Sequence, residues 1–295
     1  MKKNTIVAAI DAGGTSFKCG LVRADGQVQH TFQIPTGAPD DTLAACIGGF
    51  KSAFSDMDRL PAGLGLACFG PVDIDPNSAH FGVIRGAAKP DWQDTAIGPR
   101  LAEALGLPVA LDTDVNAALA AEQRWGAAQG IDRAAYMTVG TGIGVGVATG
   151  DVFLGRPTHP EFGHIRVARH PTDDVFPGVC ALHGTCLEGL ASANAVTARW
   201  GDPAMLATDH PAWEVEAHYL GQACLNLYLT TRVDRILIGG GLLKAQSILP
   251  KTRSEFDALM SGYLPVSGQH LLQAPQLGEQ AGMLGGAVLA LTRFN

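Results

Sequence analysis

The chain opens the same way twice. An apolar run, Ile6-Val7-Ala8-Ala9-Ile10, ends at Asp11-Ala12-Gly13-Gly14-Thr15, and a second apolar run follows at about Cys19 to Arg23. Further on, Ala135 to Val139 runs into Gly140-Thr141-Gly142 and the apolar pattern resumes at Val145 to Thr149. Short apolar runs bounded by glycine turns read as buried strands. The repetition predicts two α/β domains of similar build facing each other, each offering a backbone turn to the cleft between them.

The segments between these openings fit that scheme. A strand at about Val28 to Phe32 pairs with its predecessor across Ala24-Asp25-Gly26, since Asp-Gly between two such runs signals a hairpin. Thr42 to Phe54 has helical spacing, Gly63 to Phe69 reads as a strand, and a strand at Val109 to Leu111 leads into a helix from about Val115 to Trp125, ended by Gly126. Helices are expected at Ala191 to Trp200, Trp213 to Thr230, near Leu242 to Ser247, and at Met283 to Arg293. A short strand, Arg235 to Ile238, runs into Gly239-Gly240-Gly241.

Composition bounds the partners. A chain of 295 residues with 46% apolar and 17% charged residues can build the cores of two domains. The net charge of −7, with no basic run, argues against nucleic acid or an anionic membrane surface as a partner. No segment approaches the roughly 18 apolar residues that span a bilayer, and the first residues lack the apolar region of a signal peptide. The expectation is a soluble, cytoplasmic protein. Cys19, Cys46, Cys68 and Cys224 sit in apolar surroundings and are expected in the core.

The other two cysteines belong to a cluster. Cys180, His183 and Cys186 have the spacing C-x-x-H-x-x-C, and His164 lies just before them. Two imidazoles and two thiolates suit tetrahedral zinc better than an oxygen-seeking ion. A closed zinc site does no chemistry of its own; it folds a loop. Glu161 and Glu188 flank the ligands, and neither is needed to complete a four-coordinate site.

The glycine turns and Asp114 each admit two readings. A Gly-Gly-Thr turn after a strand lets backbone N–H groups converge on one spot, which suits a phosphate chain; it is also an ordinary hairpin turn. The pattern is neither the P-loop nor the dinucleotide fingerprint. Two such turns, the preceding Asp11 and a third cluster at Gly239, Gly240 and Gly241 point together to a nucleotide phosphate site, with Asp11 suited to Mg²⁺ or its water shell. Asp112-Thr113-Asp114-Val115-Asn116 lies where a strand becomes a helix, the place where α/β proteins bind ligands. Asp114 is there either an N-cap or the carboxylate that accepts an alcohol's proton during phosphoryl transfer.

Asp11 to Thr15, Asp112 to Asn116, His159-Pro160-Glu161-Phe162-Gly163-His164, Cys180 to Glu188 and Ile238 to Gly241 resemble the ROK family of sugar kinases, repressors and related proteins, in order and over essentially the whole chain. Lys89-Pro90-Asp91-Trp92, Thr113 before Asp114, and the C-x-x-H-x-x-C loop are similar to its zinc-containing bacterial fructokinase branch, although Phe81 to Ala88 departs from that branch's Thr-Pro-rich pattern near the sugar.

The resemblance implies the two-domain actin-like ATPase (ribonuclease H-like) α/β fold with the ligand cleft between domains: residues 1–114 with the C-terminal helix 283–295 packed back on them, and residues 115–282 with the zinc loop. It implies ATP-dependent phosphorylation of fructose at the 6-hydroxyl, with Asp114 as base. Thr113, Glu161 and Glu188 would contact sugar hydroxyls, with Gly70 and Pro71 on the opposing wall. Gly13, Gly14 and Thr15 match the first phosphate loop, Thr138, Gly140, Thr141 and Gly142 the second, and Gly239, Gly240 and Gly241 the adenosine side. His164, Cys180, His183 and Cys186 match the zinc ligands. Lys18 has no assigned role, and a homodimer is implied. Another hexose (mannose, glucose or an N-acetylhexosamine) is the alternative substrate. A sugar-responsive repressor fits less well, because family repressors carry a helix-turn-helix segment ahead of a first strand that here begins at Ile6.

Overall fold

The structure, a computed structural model, describes residues 4–55, 57–86, 90–245 and 247–294. Lys89, with Ala87 and Ala88 of the divergent segment, lies outside the described residues. Strands β1 (Ile6–Ala12), β2 (Ser16–Arg23), β3 (Val28–Pro35), β4 (Leu64–Cys68) and β5 (Val109–Thr113) form one sheet in the order β3-β2-β1-β4-β5. Strands β6 (Arg133–Val139), β7 (Ile143–Thr149), β8 (Val152–Phe153), β9 (Arg235–Gly239) and β10 (Leu272–Gln273) form another in the order β10-β9-β6-β7-β8.

Taken from its other edge, the second sheet repeats the first strand for strand. β1–β2 and β6–β7 are antiparallel, whereas β1–β4, β4–β5, β6–β9 and β9–β10 are parallel. The duplicated opening is therefore a duplicated sheet, and each Gly-Thr turn joins the same pair of strands in its own copy. The Asp-Gly hairpin also forms, with Gly26 at φ 87° between β2 and β3.

Helices α1 (Pro39–Phe54), α2 (Ile97–Leu105) and α3 (Asp114–Trp125) accompany the first sheet. Helices α4 (Leu187–Ala191), α5 (Ala193–Trp200), α6 (Ala212–Thr231), α7 (Ile248–Met260) and α8 (Gly268–Leu271) accompany the second, and α9 (Ala281–Phe294) returns to the first. The chain divides into two compact units: Met1–Gln129 with Phe153–His159 and Leu277–Asn295, and Gly130–Val152 with Pro160–Gln276. No helix among the described residues is long and apolar enough to cross a membrane.

In the first unit β1 is buried on both faces. Ala8 and Ile10 join Phe17, Leu43, Phe50, Leu64, Leu66 and Trp92 on one side, while Val7 and Ala9 join Ala121, Leu284, Ala287 and Leu291 on the other. This is the period of two expected of a strand sandwiched between helices. α9 packs closely on β4 through Gly65 and Gly286 and on α3 through Gly285, because these residues carry no Cβ. A Cβ on Gly65 would overlap the Gly286 carbonyl, and one on Gly285 would overlap that of Ala117.

The second unit has one core, in which Ala135, Met137 and Val139 of β6 meet Trp213, Tyr219 and Leu220 of α6 and Ile248 and Phe256 of α7. It also buries ions. Arg199 pairs with Asp173 at 2.5 Å and Glu216 at 3.1 Å, and the Tyr219 hydroxyl donates to Asp173 at 2.7 Å. Burial pushes Glu216 up to about 8, with Arg199 opposing that rise.

Two expected helices differ. Where a helix is expected near Leu242 to Ser247, the described residues form only a short 3-10 turn, Gly241–Lys244, ahead of α7, whose buried Ile248, Thr252, Phe256 and Met260 recur every fourth residue. That spacing needs a core to cover it, and a polar Thr within the stripe hides it. The helix expected over Ala191 to Trp200 is broken at Ser192 (ψ 162°), which ends α4 and caps α5 through Ala195 N–H at 3.3 Å.

Candidate active site and metal-ligand cluster

In the first unit the candidate residues meet at the C-terminal ends of parallel strands. Register places Asp11, Ala67 and Asp112 side by side on β1, β4 and β5, followed by Ala12, Cys68 and Thr113. This is the crevice end of an open α/β sheet. Burial, with the Asp114 and Asp11 charges adding to it, raises the Cys68 thiol well above its ordinary value.

The two readings of Asp114 separate here. The cap of α3 is Thr113, in extended conformation, whose Oγ1 accepts Asn116 N–H at 3.2 Å. Asp114 is the first helical residue, and its Oδ1 accepts Val115 N–H at 2.9 Å. The cap position belongs to Thr113, and Asp114 satisfies one further amide of the first turn with Oδ1.

Asp112 is different again. Fully buried, its Oδ1 accepts Thr113 N–H and Asn116 Nδ2, both at 2.8 Å, and its Oδ2 pairs with Arg156. Burial raises its carboxyl above the ordinary value, against Arg156, Asn116, Thr113 and His159. Asp112 thus orients the strand-to-helix junction from beneath. Reasoning from the sequence left Asp112 and Arg156 without roles, and only the charge of a buried strand residue signalled that a partner was needed.

Asp11 sits opposite Lys18 in the β1–β2 pair, and its carboxyl packs on the start of α9, where a Cβ on Gly282 would lie 2.5 Å from Asp11. Burial pushes Asp11 up to about 6, with Lys18 opposing. Such a carboxyl gains from a further cation, so Asp11 fits a magnesium role. Lys18 also reaches the Glu279 carbonyl at 3.1 Å. In the adjoining turn, Gly13 N–H is committed to the Asp11 and Ser16 carbonyls, both at 3.1 Å, and Thr36 ties down the Gly13 carbonyl at 2.8 Å.

Gly70 and Pro71 belong to the same unit, where Pro71, Asp73, Ser78, Arg85, Thr158 and His159 line a groove of about 410 Å³. His159 lies in this groove against Gly70.

In the second unit Thr138 stands where Asp11 stands in the first, two residues before the turn, flanked by Gly144 on β7 and Gly239 on β9. Gly140 N–H closes the turn on the Gly142 carbonyl at 2.9 Å. Gly240 (φ 100°) has a conformation that L side chains rarely adopt and lies so close to Val139 that a Cβ would overlap its backbone.

The metal-ligand cluster forms as a unit. One ligand atom from each of His164, Cys180, His183 and Cys186 lies within 4.8 Å of the others. His164 Nδ1 is 3.5 Å from Cys186 Sγ and 3.8 Å from Cys180 Sγ, and Cys180 Sγ is 3.7 Å from His183 Nδ1. Zinc bonds of about 2.1–2.3 Å in a tetrahedron separate ligand atoms by about 3.4–3.8 Å, which matches these three separations, while the four atoms together lie within 4.8 Å, so a bound ion would draw the set slightly closer. Backbone N–H groups of His183 and Gly189 point at Cys180 and Cys186 at 3.4 and 3.5 Å. Burial, the largest influence, raises the Cys186 thiol, a penalty that a coordinated cation would remove.

Both glutamates are carried by this loop. Glu161 immediately precedes the 3-10 turn Phe162–His164, and Glu188 lies in the first turn of α4, whose cap is Cys186. Arg199 binds the Leu190 carbonyl at the end of α4, tying that helix to the buried Asp173 and Glu216.

Comparison with known proteins agrees with this architecture. The chain is 36% identical to the fructokinase of Zymomonas mobilis, with 98% of each chain covered, and 36% identical to the fructokinase of Pediococcus pentosaceus, with 97% of each covered. Among solved structures, a ROK family glucokinase from Streptomyces griseus in complex with glucose and AMPPNP superposes with a TM-score of 0.76 at 26% identity, covering 97% of this chain and 99% of that one. Its relatives have the actin-like ATPase fold, which is the fold of this chain. The sequence profile of the ROK family matches residues 7–293, and the chain belongs to that family.

Proposed function

We propose that this protein is an ATP-dependent sugar kinase that phosphorylates D-fructose at the 6-hydroxyl, with Asp114 as the catalytic base. One observation carries the choice of base: Asp114 heads α3 at the crevice end of β5, while Thr113 performs the capping. The fructokinases of about the same length support the reaction and the sugar.

In this reading Asp114 accepts the proton of the 6-hydroxyl as that oxygen attacks the γ-phosphorus. The bond from phosphorus to the β,γ-bridging oxygen breaks, leaving fructose 6-phosphate and ADP. Asp112, through Asn116, Arg156 and the Thr113 amide, holds Asp114 in place from below. Thr113, Glu161 and Glu188 contact sugar hydroxyls, with Gly70 and Pro71 forming the opposing wall. Gly14, Thr15, Thr138, Thr141 and Gly142 hold the phosphates, Gly13 and Gly140, whose N–H groups close their own turns, shape the two loops, and Gly239, Gly240 and Gly241 form the adenosine side. Asp11 holds Mg²⁺, which when bound neutralises phosphate charge. His164, Cys180, His183 and Cys186 hold a structural zinc ion. The protein works as a homodimer, which light scattering tests.

The test is an initial-rate assay with ATP over a panel of hexoses. Fructose is expected as the best acceptor; a preference for glucose, the sugar held by the similar glucokinase, moves the assignment to a kinase of another hexose. Asp114→Asn is expected to fold normally and lose about 10²–10⁴-fold in kcat. Near wild-type turnover in that variant rules Asp114 out as the base.

A further inference from the structure

We propose that Glu188 is a positioning residue for the Gly140–Gly142 turn, so that the metal-clipped loop sets the nucleotide-phosphate side of the site as well as the sugar side. The inference rests on the kinase reading above and assigns Glu188 a task beyond touching sugar.

Glu188 Oε2 accepts the backbone N–H of Ile143 at 2.9 Å, where the turn re-enters β7. Gly142 is so close that a Cβ there would lie 2.6 Å from the same oxygen. The other end of the turn is held by the same stretch of chain, because Ala193 N–H donates to the Gly140 carbonyl at 2.7 Å. From the side, Gly163 approaches until a Cβ on it would overlap the Ile143 carbonyl. Segments on both sides of the metal ligands therefore frame this turn.

A sugar contact alone would require none of this. One oxygen of Glu188 is instead committed to the backbone amide of Ile143, a residue only 6% exposed. The Ile143 N–H has lost its water, and the charge-assisted bond replaces it. Oε1 of Glu188 accepts no hydrogen bond among the described residues and remains for the sugar. One carboxylate then bridges two ligand sites.

The test uses full-length protein, with zinc content measured by mass spectrometry as a check that the loop is intact. Hydrogen exchange of the segment 140–146 is followed without ligand, and AMPPNP with Mg²⁺ is titrated in the absence of sugar. Glu188→Ala and Glu188→Asp, whose shorter carboxylate cannot reach Ile143, are each expected to lose about tenfold or more in protection and in AMPPNP affinity. Glu188→Gln, whose amide oxygen can accept the same N–H, is expected to restore both. Wild-type protection and affinity in Glu188→Asp, or Glu188→Gln as defective as Glu188→Ala, overturns this inference alone. A wild-type protein that binds no nucleotide overturns the kinase reading and this inference with it.

Discussion

Asp112 and Asp114 are one residue apart and face different demands. Asp112 is buried beneath the strand end with Asn116, the Thr113 amide and the partly exposed Arg156 as partners, so removing it strands the buried Asn116 and Thr113 donors. Asp112→Ala is expected to destabilise the protein by about 2–4 kcal/mol in urea unfolding, because the partners lose their compensation. Asp114→Asn should leave the unfolding midpoint nearly unchanged. Asp11 supplies a pH signature. Its carboxyl is near 6 in the folded protein against 3.8 ordinarily, so the fold holds that proton more tightly than the unfolded chain does. Its contribution to stability is whole below pH 3.8 and is lost as pH rises through about 6. In magnesium-free buffer Asp11→Asn is expected to stabilise the protein above pH 6 by up to about 3 kcal/mol, a gain that fades toward pH 4. The same variant should lose kinase activity at all these values. Asp11 and Asp114 could be singled out as candidates from the sequence because both stand at strand ends beside turn residues. Arg156 could not, since its partner lies 44 residues away and only folding brings them together.

At the scale of elements, the junction of β5 and α3 depends on one hydroxyl. Thr113→Ala is expected to cost about 1 kcal/mol in thermal or urea unfolding, with Thr113→Ser recovering most of it. A result in which Ala and Ser behave alike would remove the cap from the account. The strand and turn elements were largely legible, because alternation and Asp-Gly or Gly-Thr punctuation are local properties. The helices of the second unit were less so. α7 shows its apolar stripe only once a core defines which face is buried. The break at Ser192 depends on one side chain capping the next helix, and it separates α4, the helix that carries Glu188, from α5. α9 reads as a small-residue helix in the sequence, yet the reason for Gly285 and Gly286 is contact with α3 and β4, elements far earlier in the chain.

For the whole molecule, the four candidate metal ligands draw distant parts of one loop together. The donors come from the chain on both sides of an exposed loop, and the cap of α4 is itself one of the four. Chelation, or Cys180→Ser, is expected to lower Tm by at least about 5 °C and to weaken fructose binding, both measured on the same sample. An unchanged Tm in protein verified to be metal-free would show that the loop holds itself. The amino-acid sequence alone determined the duplicated α/β opening, the residue types of the metal cluster and the family, since each rests on spacing within a few residues or on ordered motifs. Only the tertiary structure decided that Thr113 rather than Asp114 caps α3, that Asp112 pairs with Arg156, and that Glu188 reaches the turn at Ile143. The last two pairs are separated by 44 and 45 residues, and packing rather than local propensity brings them within hydrogen-bond distance.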